Sequence, residues 1–480
     1  MNKVCTLISA RRLLCLAMVA LLWAAGCGPA PKTDVGMLAP LPTDGLLAVP
    51  ADRDGVKLFD PVTPYAVAKH APKVEYVAYP VSEIADWTHW GTGCLHSNGK
   101  IYTAIGDHGG TGADSYLYEF DPSAGRLRCL VSLCQVVKDF KPSDYGFSKV
   151  HGRICEGSDG KLYFSSFWGA DADSPRYHGD RIFCFDPQSG QLADLGITVP
   201  GYGAPTTALD PKRMIFYGEF QHPTANSTDF VAYDLKDGRI LFRGGHEGEA
   251  GPGRAILVDA DGCAYYACRH MIRKYDPRTN AVTELPDRLL HRKLRQDASR
   301  ARADGVMCAA SRGDHSSLIL LDPATGRVSD VGELWDEVKA MDMDATSRWV
   351  YYVADCEIPA EGDQKIPPEL RAKKNLVAGL PVVQVDMANG ASQKVVAFLE
   401  VPLRRAIGWE PRGKHTCYSL IASPDGRTLY INLNGFRPCD LGYYHATPLL
   451  VVVHVPSEEL SAPVAPAPAA KSAPAAAPGL

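Results

Sequence analysis

The stretch SDGKLYFSSFWGADADSPRYHGDRIFCFDPQSG, from Ser158 to Gly190, holds two turn signatures with apolar runs between and around them. The first, Asp159-Gly160, suits the positive φ that a two-residue hairpin requires. The second, Asp186-Pro187-Gln188-Ser189-Gly190, sets a type I turn closed by a glycine in the left-handed region. The unit therefore reads as strand, Asp-Gly corner, strand, long loop, strand, Asp-Pro turn, strand.

Both signatures recur along the chain. The corner returns at Asn98-Gly99, Asp210-Pro211-Lys212, Asp261-Gly262, Asp304-Gly305, Asp344-Ala345-Thr346-Ser347 and Asp425-Gly426. The second turn returns as FDPSAG, YDLKDG, YDPRTN, LDPATG and VDMANG, with aspartates at Asp121, Asp234, Asp276, Asp322 and Asp386. Four strands per period of about 40 to 60 residues are the mark of a β-propeller. The expected fold is all-β: a seven-bladed propeller of four-stranded antiparallel blades. Its last blade, from His415 onward, is one strand short, and KVEYVAYPV at Lys73 to Val81 is an unattached strand pattern. That N-terminal strand is expected to close the ring and remove its free edges.

Outside residues 51–456, which hold the propeller pattern, the chain changes character. Lys3, Arg11 and Arg12 precede an apolar run from Leu13 to Ala25 that is too short to span a bilayer, which reads as an export signal. Its end, Ala24-Ala25-Gly26-Cys27, resembles the bacterial lipoprotein cleavage box. The resemblance implies that residues 1–27 form the signal, that Cys27 is the lipid acceptor, and, with Gly28 following, that the protein is exported and anchored at the outer membrane. Residues 28–50 are rich in Pro and Ala and read as a tether, and residues 457–480 as a disordered Ala/Pro-rich tail. A formal net charge of -5 and the lack of a basic run give no footing for nucleic acid. The lipid is then the membrane contact, and a monomer is expected. Of 14 cysteines, 11 lie beyond Cys27 without the spacing of a disulfide scaffold, so at most one bridge is expected.

In a propeller, the starts of the inner strands and the loops between second and third strands open on one face around the central channel. Counting back from the corners places Trp90 and His151 there, with Tyr202 beside Gly203, Arg254 beside Gly253, Lys339 beside Val338, and His415 near Cys417. The loops add His108, Trp168, His222, Arg269, His315, Cys439 and His445. Isolated loop histidines are commonly tolerated and tryptophans commonly core, yet this concentration on one rim marks a site.

Three chemistries are open. In the first, β-elimination from an acidic polysaccharide, His151 or Tyr202 removes a proton while Arg254 or Arg269 offsets the carboxylate; Trp90, His108, Trp168, His222, Lys339 and His415 bind the ligand. The second is a divalent metal held across blades by His315, His415, His445 and Cys439, although no local ligand spacing accompanies it. The third is a binding module without catalysis, taking a glycan, small ligand or protein through Trp90, Trp168, Tyr202, Arg254 and Lys339. No Gly-x-Ser-x-Gly elbow, phosphate loop or dinucleotide fingerprint occurs.

The repeat wording, DGKLYF followed by an apolar run and Asp-Pro-x-[Ser/Thr]-Gly, resembles exported bacterial propellers with NHL-type and gluconolactonase-like repeats, and the propeller polysaccharide lyases. Kelch and WD-repeat signatures are missing. The lyase resemblance implies a histidine at the second-blade strand start, matched by His151, and an arginine ending a second strand two blades later, matched by Arg269. The tyrosine it implies for blade 4 is replaced by Gly253-Arg254, and a companion histidine by Trp168; Tyr202, Tyr217 or Tyr418 stand on other blades to replace the tyrosine.

Overall fold

The turn residues adopt the conformations that make the repeat. At the corners, Gly99, Gly160, Gly262, Gly305 and Gly426 have φ between +69° and +83°, and Met214 (+60°) and Ser347 (+62°) take that role where no glycine is present. At the second turns, Gly125, Gly190, Gly238, Gly326 and Gly390 lie between +61° and +71°, and Asn280 at +53°. Each turn aspartate also accepts a hydrogen bond from the amide two residues on, as Asp186 does from Gln188 at 2.8 Å and Asp234 from Lys236 at 2.8 Å.

The computed structural model describes residues 34–52, 57–61, 63–80, 82, 86–225, 227–244, 253–289, 293–312, 316–335, 338–354, 377–438 and 444–461. Among them seven sheets built on four antiparallel strands follow one another along the chain, and Tyr65–Val67 adds a parallel strand to the outer edge of the sixth. The inner strands are Cys94–Leu95, Cys155–Glu156, Gly203–Asp210, Ile256–Val258, Lys293–Asp297, Met341–Met343 and Cys417–Ala422. A three-stranded sheet, Glu410–Pro411, Gly435–Pro438 and Tyr444–Ala446, caps the seventh blade on the loop side.

Closure follows the sequence pattern. Lys73–Ala78 pairs antiparallel with Leu449–His454, in register from Leu449 opposite Ala78 to His454 opposite Lys73. Large apolar side chains fill the spaces between blades. Tyr102, Phe164, Phe183 and Phe185 pack between the first and second, while Phe230 stacks on Tyr266 (4.3 Å, 5°) between the third and fourth. Such a stacked pair adds about 1 kcal/mol beyond the area it buries.

Two boundaries differ from the sequence reading. Within the expected tether, Asp34–Met37 pairs with the outer strand of the first blade and Ala39–Leu41 with Lys73–Ala78. Leu41 and Leu46 are buried in the core there, so this segment has apolar anchors among its prolines. Within the expected tail, Ser457–Ser461 is a short helix. Its Glu459 accepts hydrogen bonds from Lys394 (2.7 Å) and from the amides of Lys69 and His70. Residues 1–33 and 462–480, including the expected signal and Cys27, lie outside the described residues. No described helix is long and apolar enough to cross a membrane. The nine described cysteines, from Cys94 to Cys417, are free thiols.

Candidate functional site

The inner strands carry polar residues among apolar ones, and these face the channel. Arg153 of the second blade meets Asp297 of the fifth at 3.0 Å, and also donates to the Asp297 carbonyl oxygen. This buried pair divides the channel. Toward the corner face lies a cavity of about 480 Å³ walled by Ile154, Leu209, Leu257, Leu420 and their neighbours. Toward the loop face lies a recess of about 30 Å³, lined by Trp90, His151, Arg254, Arg295, Lys339 and Tyr418 among others. The larger cavity is bordered by charges of both signs, Glu156, Asp210, Lys212, Asp259 and Arg300 among them, whereas the smaller one sets mainly cations beside aromatic rings. Room for about one or two waters is also room for one carboxylate group.

Charge at the recess is one-sided. Its lining includes four permanent or usual cations, Arg153, Arg254, Arg295 and Lys339, against one carboxylate, Asp297, which Arg153 already engages. Among these lining residues Arg254, Arg295 and Lys339 are the further cations. Gly152 lets the second and third blades approach here, since a Cβ would collide with Thr207. The Arg254 guanidinium contacts both ring nitrogens of His151, while the Pro205 carbonyl oxygen lies 2.9 Å from His151 Nδ1. Burial, and then Arg254 and Lys149, hold the His151 imidazole far below its ordinary pKa.

Aromatic rings form the mouth. Trp90 stacks on Tyr418 at 4.6 Å and lies 5.3 Å from His415 and 4.8 Å from His108. The Tyr418 hydroxyl is 2.6 Å from His415 Nδ1, with His415 exposed and Tyr418 buried. Cations sit over the same ring, Arg295 at 5.8 Å and Lys339 at 5.9 Å. Together these groups can hold an anion, offer a flat face to a ring, and pass a proton between a phenol and an imidazole.

Of the residues expected from the sequence, Trp90, His108, His151, Arg254, Lys339 and His415 are brought together. Four others are placed elsewhere. Tyr202 packs at the rim of the third blade against His222 (5.1 Å) and under Arg243 (4.7 Å). The inner strand of that blade is long, Gly203–Asp210, and bulges between Gly203 and Thr206, so Pro205 and Thr206 reach the recess instead. Arg269 sits exposed at the tip of a two-residue hairpin, with φ +56°, too short a loop to lean inward. His222 staples its own loop, accepting from the Ala225 amide at 2.9 Å. Trp168 stacks on Phe167 (4.3 Å) and covers Gly203, a wall position.

His445 lies in the capping sheet opposite Arg437, and His315 and Cys439 lie outside the described residues. Among the described residues no three His, Cys, Asp or Glu side chains converge as a metal site. The positive excess at the recess also opposes a divalent cation, so the described groups do not fit a metal there.

Lys149, Arg295 and the central place of Tyr418 escaped the spacing argument. Arg295 stands one residue before Gln296, where counting back from Asp304-Gly305 begins the fifth blade. In the strand Lys293–Asp297, KLRQD, only Leu294 is apolar, so nothing in the local pattern singled out Arg295.

No protein-family model matches the sequence, and no curated protein matches it. Solved structures do. An oligogalacturonate lyase from Vibrio parahaemolyticus superposes with a TM-score of 0.51 at 8% identity, covering 89% of this chain and 100% of that one. An oligogalacturonate lyase in complex with manganese gives a TM-score of 0.49 at 12% identity, covering 89% of this chain and 100% of that one. At these identities the shared feature is the propeller fold.

Proposed function

We propose that the loop-face funnel takes the carboxylate of an acidic saccharide and that the protein is a lyase cleaving it by β-elimination. The observation that carries this reading is the recess itself: a space for one carboxylate, lined by Arg254, Arg295 and Lys339, beneath the Trp90 ring. The lyase activity named for the Vibrio parahaemolyticus neighbour is consistent with it, as a proposal about this chain.

In this account the sugar ring rests against Trp90 while its carboxylate enters the recess. The three cations stabilise the charge that spreads onto the carboxylate when the adjacent C–H proton is removed. Tyr418 and His415 handle protons: the phenolic oxygen takes the carbon-bound proton as its own proton passes to His415 Nδ1. The freed C–H electron pair forms the carbon–carbon double bond and expels the glycosidic oxygen on the β carbon. That oxygen leaves protonated, recovering the proton from the Tyr418–His415 pair, so no net proton is consumed. His151 is a positioning residue here, since an imidazole held uncharged by burial and then by Arg254 is a weak base. Export and attachment through Cys27 form part of the proposal and place the enzyme among extracellular or periplasmic glycans.

The test is the ultraviolet absorbance of unsaturated sugar ends after incubating the full chain with a panel of uronate polysaccharides. A rising signal on at least one supports the reading. Binding without any signal overturns the lyase step in favour of a binding module.

A further inference from the structure

Beside the recess is an amine that the elimination does not use. Lys149 Nζ lies over the face of Trp90 (4.9 Å) and of Phe167 (5.2 Å), and 3.4 Å from His108 Nδ1. No carboxylate of a described residue lies within ion-pair distance of it, the nearby acids Asp180 and Asp86 acting only at longer range. Trp90, which it touches, also lines the recess. The position thus joins an aromatic pocket around an amine to a seat for an anion.

We propose that Lys149 is a covalent capture site, forming an imine with the carbonyl carbon of a 2-oxo acid whose carboxylate sits among Arg254, Arg295 and Lys339. The proposal rests on the anion-binding part of the function above and not on the elimination. The amine nitrogen adds to the carbonyl carbon, and the carbonyl oxygen leaves as water with both amine protons. A carbon–nitrogen double bond replaces the carbon–oxygen one, with no oxidant or reductant involved. Burial, followed by the neighbouring Arg254, brings the Lys149 amine down to about 7, so a substantial share is free base near neutral pH. His108 stays uncharged, pressed to about 2 by burial and by Lys149 and Arg412. Its Nδ1 is the ring atom turned to the amine, 3.4 Å away, so an uncharged His108 adds no positive charge beside Lys149.

The experiment treats the purified full chain with pyruvate and borohydride, then maps modified lysines by peptide mass spectrometry. The expected result is a reduced adduct on Lys149, little on exposed Lys236, and loss of the adduct in Lys149→Arg. Acetone, which lacks the carboxylate, is expected to label far less. No adduct at Lys149, equal labelling of Lys236, or equal trapping of acetone would overturn the proposal, and the wild-type map decides this even if the variant does not fold. An adduct without unsaturated ends retires only the lyase reading, and unsaturated ends without an adduct retire only this one.

Discussion

His151 and Arg254, 103 residues apart in the chain, meet inside the funnel, with the guanidinium 2.7 Å from His151 Nδ1. Burial, and then the guanidinium, keep the imidazole uncharged, and the ring in turn fixes the guanidinium beside the recess. His151→Ala is therefore expected to raise KM several-fold while kcat changes little, because the interaction lost is one made equally to substrate and transition state. A collapse of kcat with KM unchanged would restore His151 as the base.

In the proposed elimination Tyr418 carries the proton-transfer role. Tyr418→Phe keeps the ring that stacks on Trp90 and faces Arg295 and Lys339, and removes only the hydroxyl bonded to His415. Turnover should fall by about 10²- to 10⁴-fold while the melting temperature stays close to wild type. Full activity in this variant would exclude the pair.

Lys149 gives a pH signature. Its folded pKa, about 7, lies below the ordinary 10.5, so between those values the unfolded chain binds more protons and stability rises with pH. Below about 7 the lysine is charged in both states and the full cost of burying that charge is present. Lys149→Met, measured by thermal melting, should therefore gain most over wild type below pH 7, with the gain shrinking as pH rises toward 10.5. A gain independent of pH would contradict this.

The C-terminal helix is a structural staple. Burial raises the Glu459 carboxyl, but hydrogen bonds from Lys394 and the His70 amide outweigh it and hold the group at about 2 against an ordinary 4.5. Its contribution is present above pH 4.5 and fades as pH falls toward 2. Glu459→Gln leaves Lys394 buried beside a neutral amide and should cost about 3 kcal/mol at neutral pH in denaturant titrations. The difference from wild type should narrow in acid; an equally stable variant would remove the staple.

Much of this molecule was legible in its turns. Asp-Gly corners and Asp-Pro turns fix φ locally, so blade number, order and the closing strand Lys73–Ala78 followed from spacing alone. In the third blade the inner strand already begins at Gly203 and bulges before Thr206, so Pro205 and Thr206 reach the recess and Tyr202 stays at the rim. Arg269 failed for a different reason: the reach of a loop depends on its length and backbone, and a two-residue hairpin stays at the blade tip. Lys149 and Arg295 are single basic residues whose meaning arises only when seven blades converge.

The most direct test of the carboxylate recess is calorimetric titration of the full chain with a galacturonate oligosaccharide and with the same oligosaccharide after reduction of its carboxyls to alcohols. Binding of the acidic form alone is expected, weakened about thirtyfold, or about 2 kcal/mol, by Arg295→Ala or Lys339→Ala. Equal affinity for both sugars, or no effect of either variant, would contradict the account.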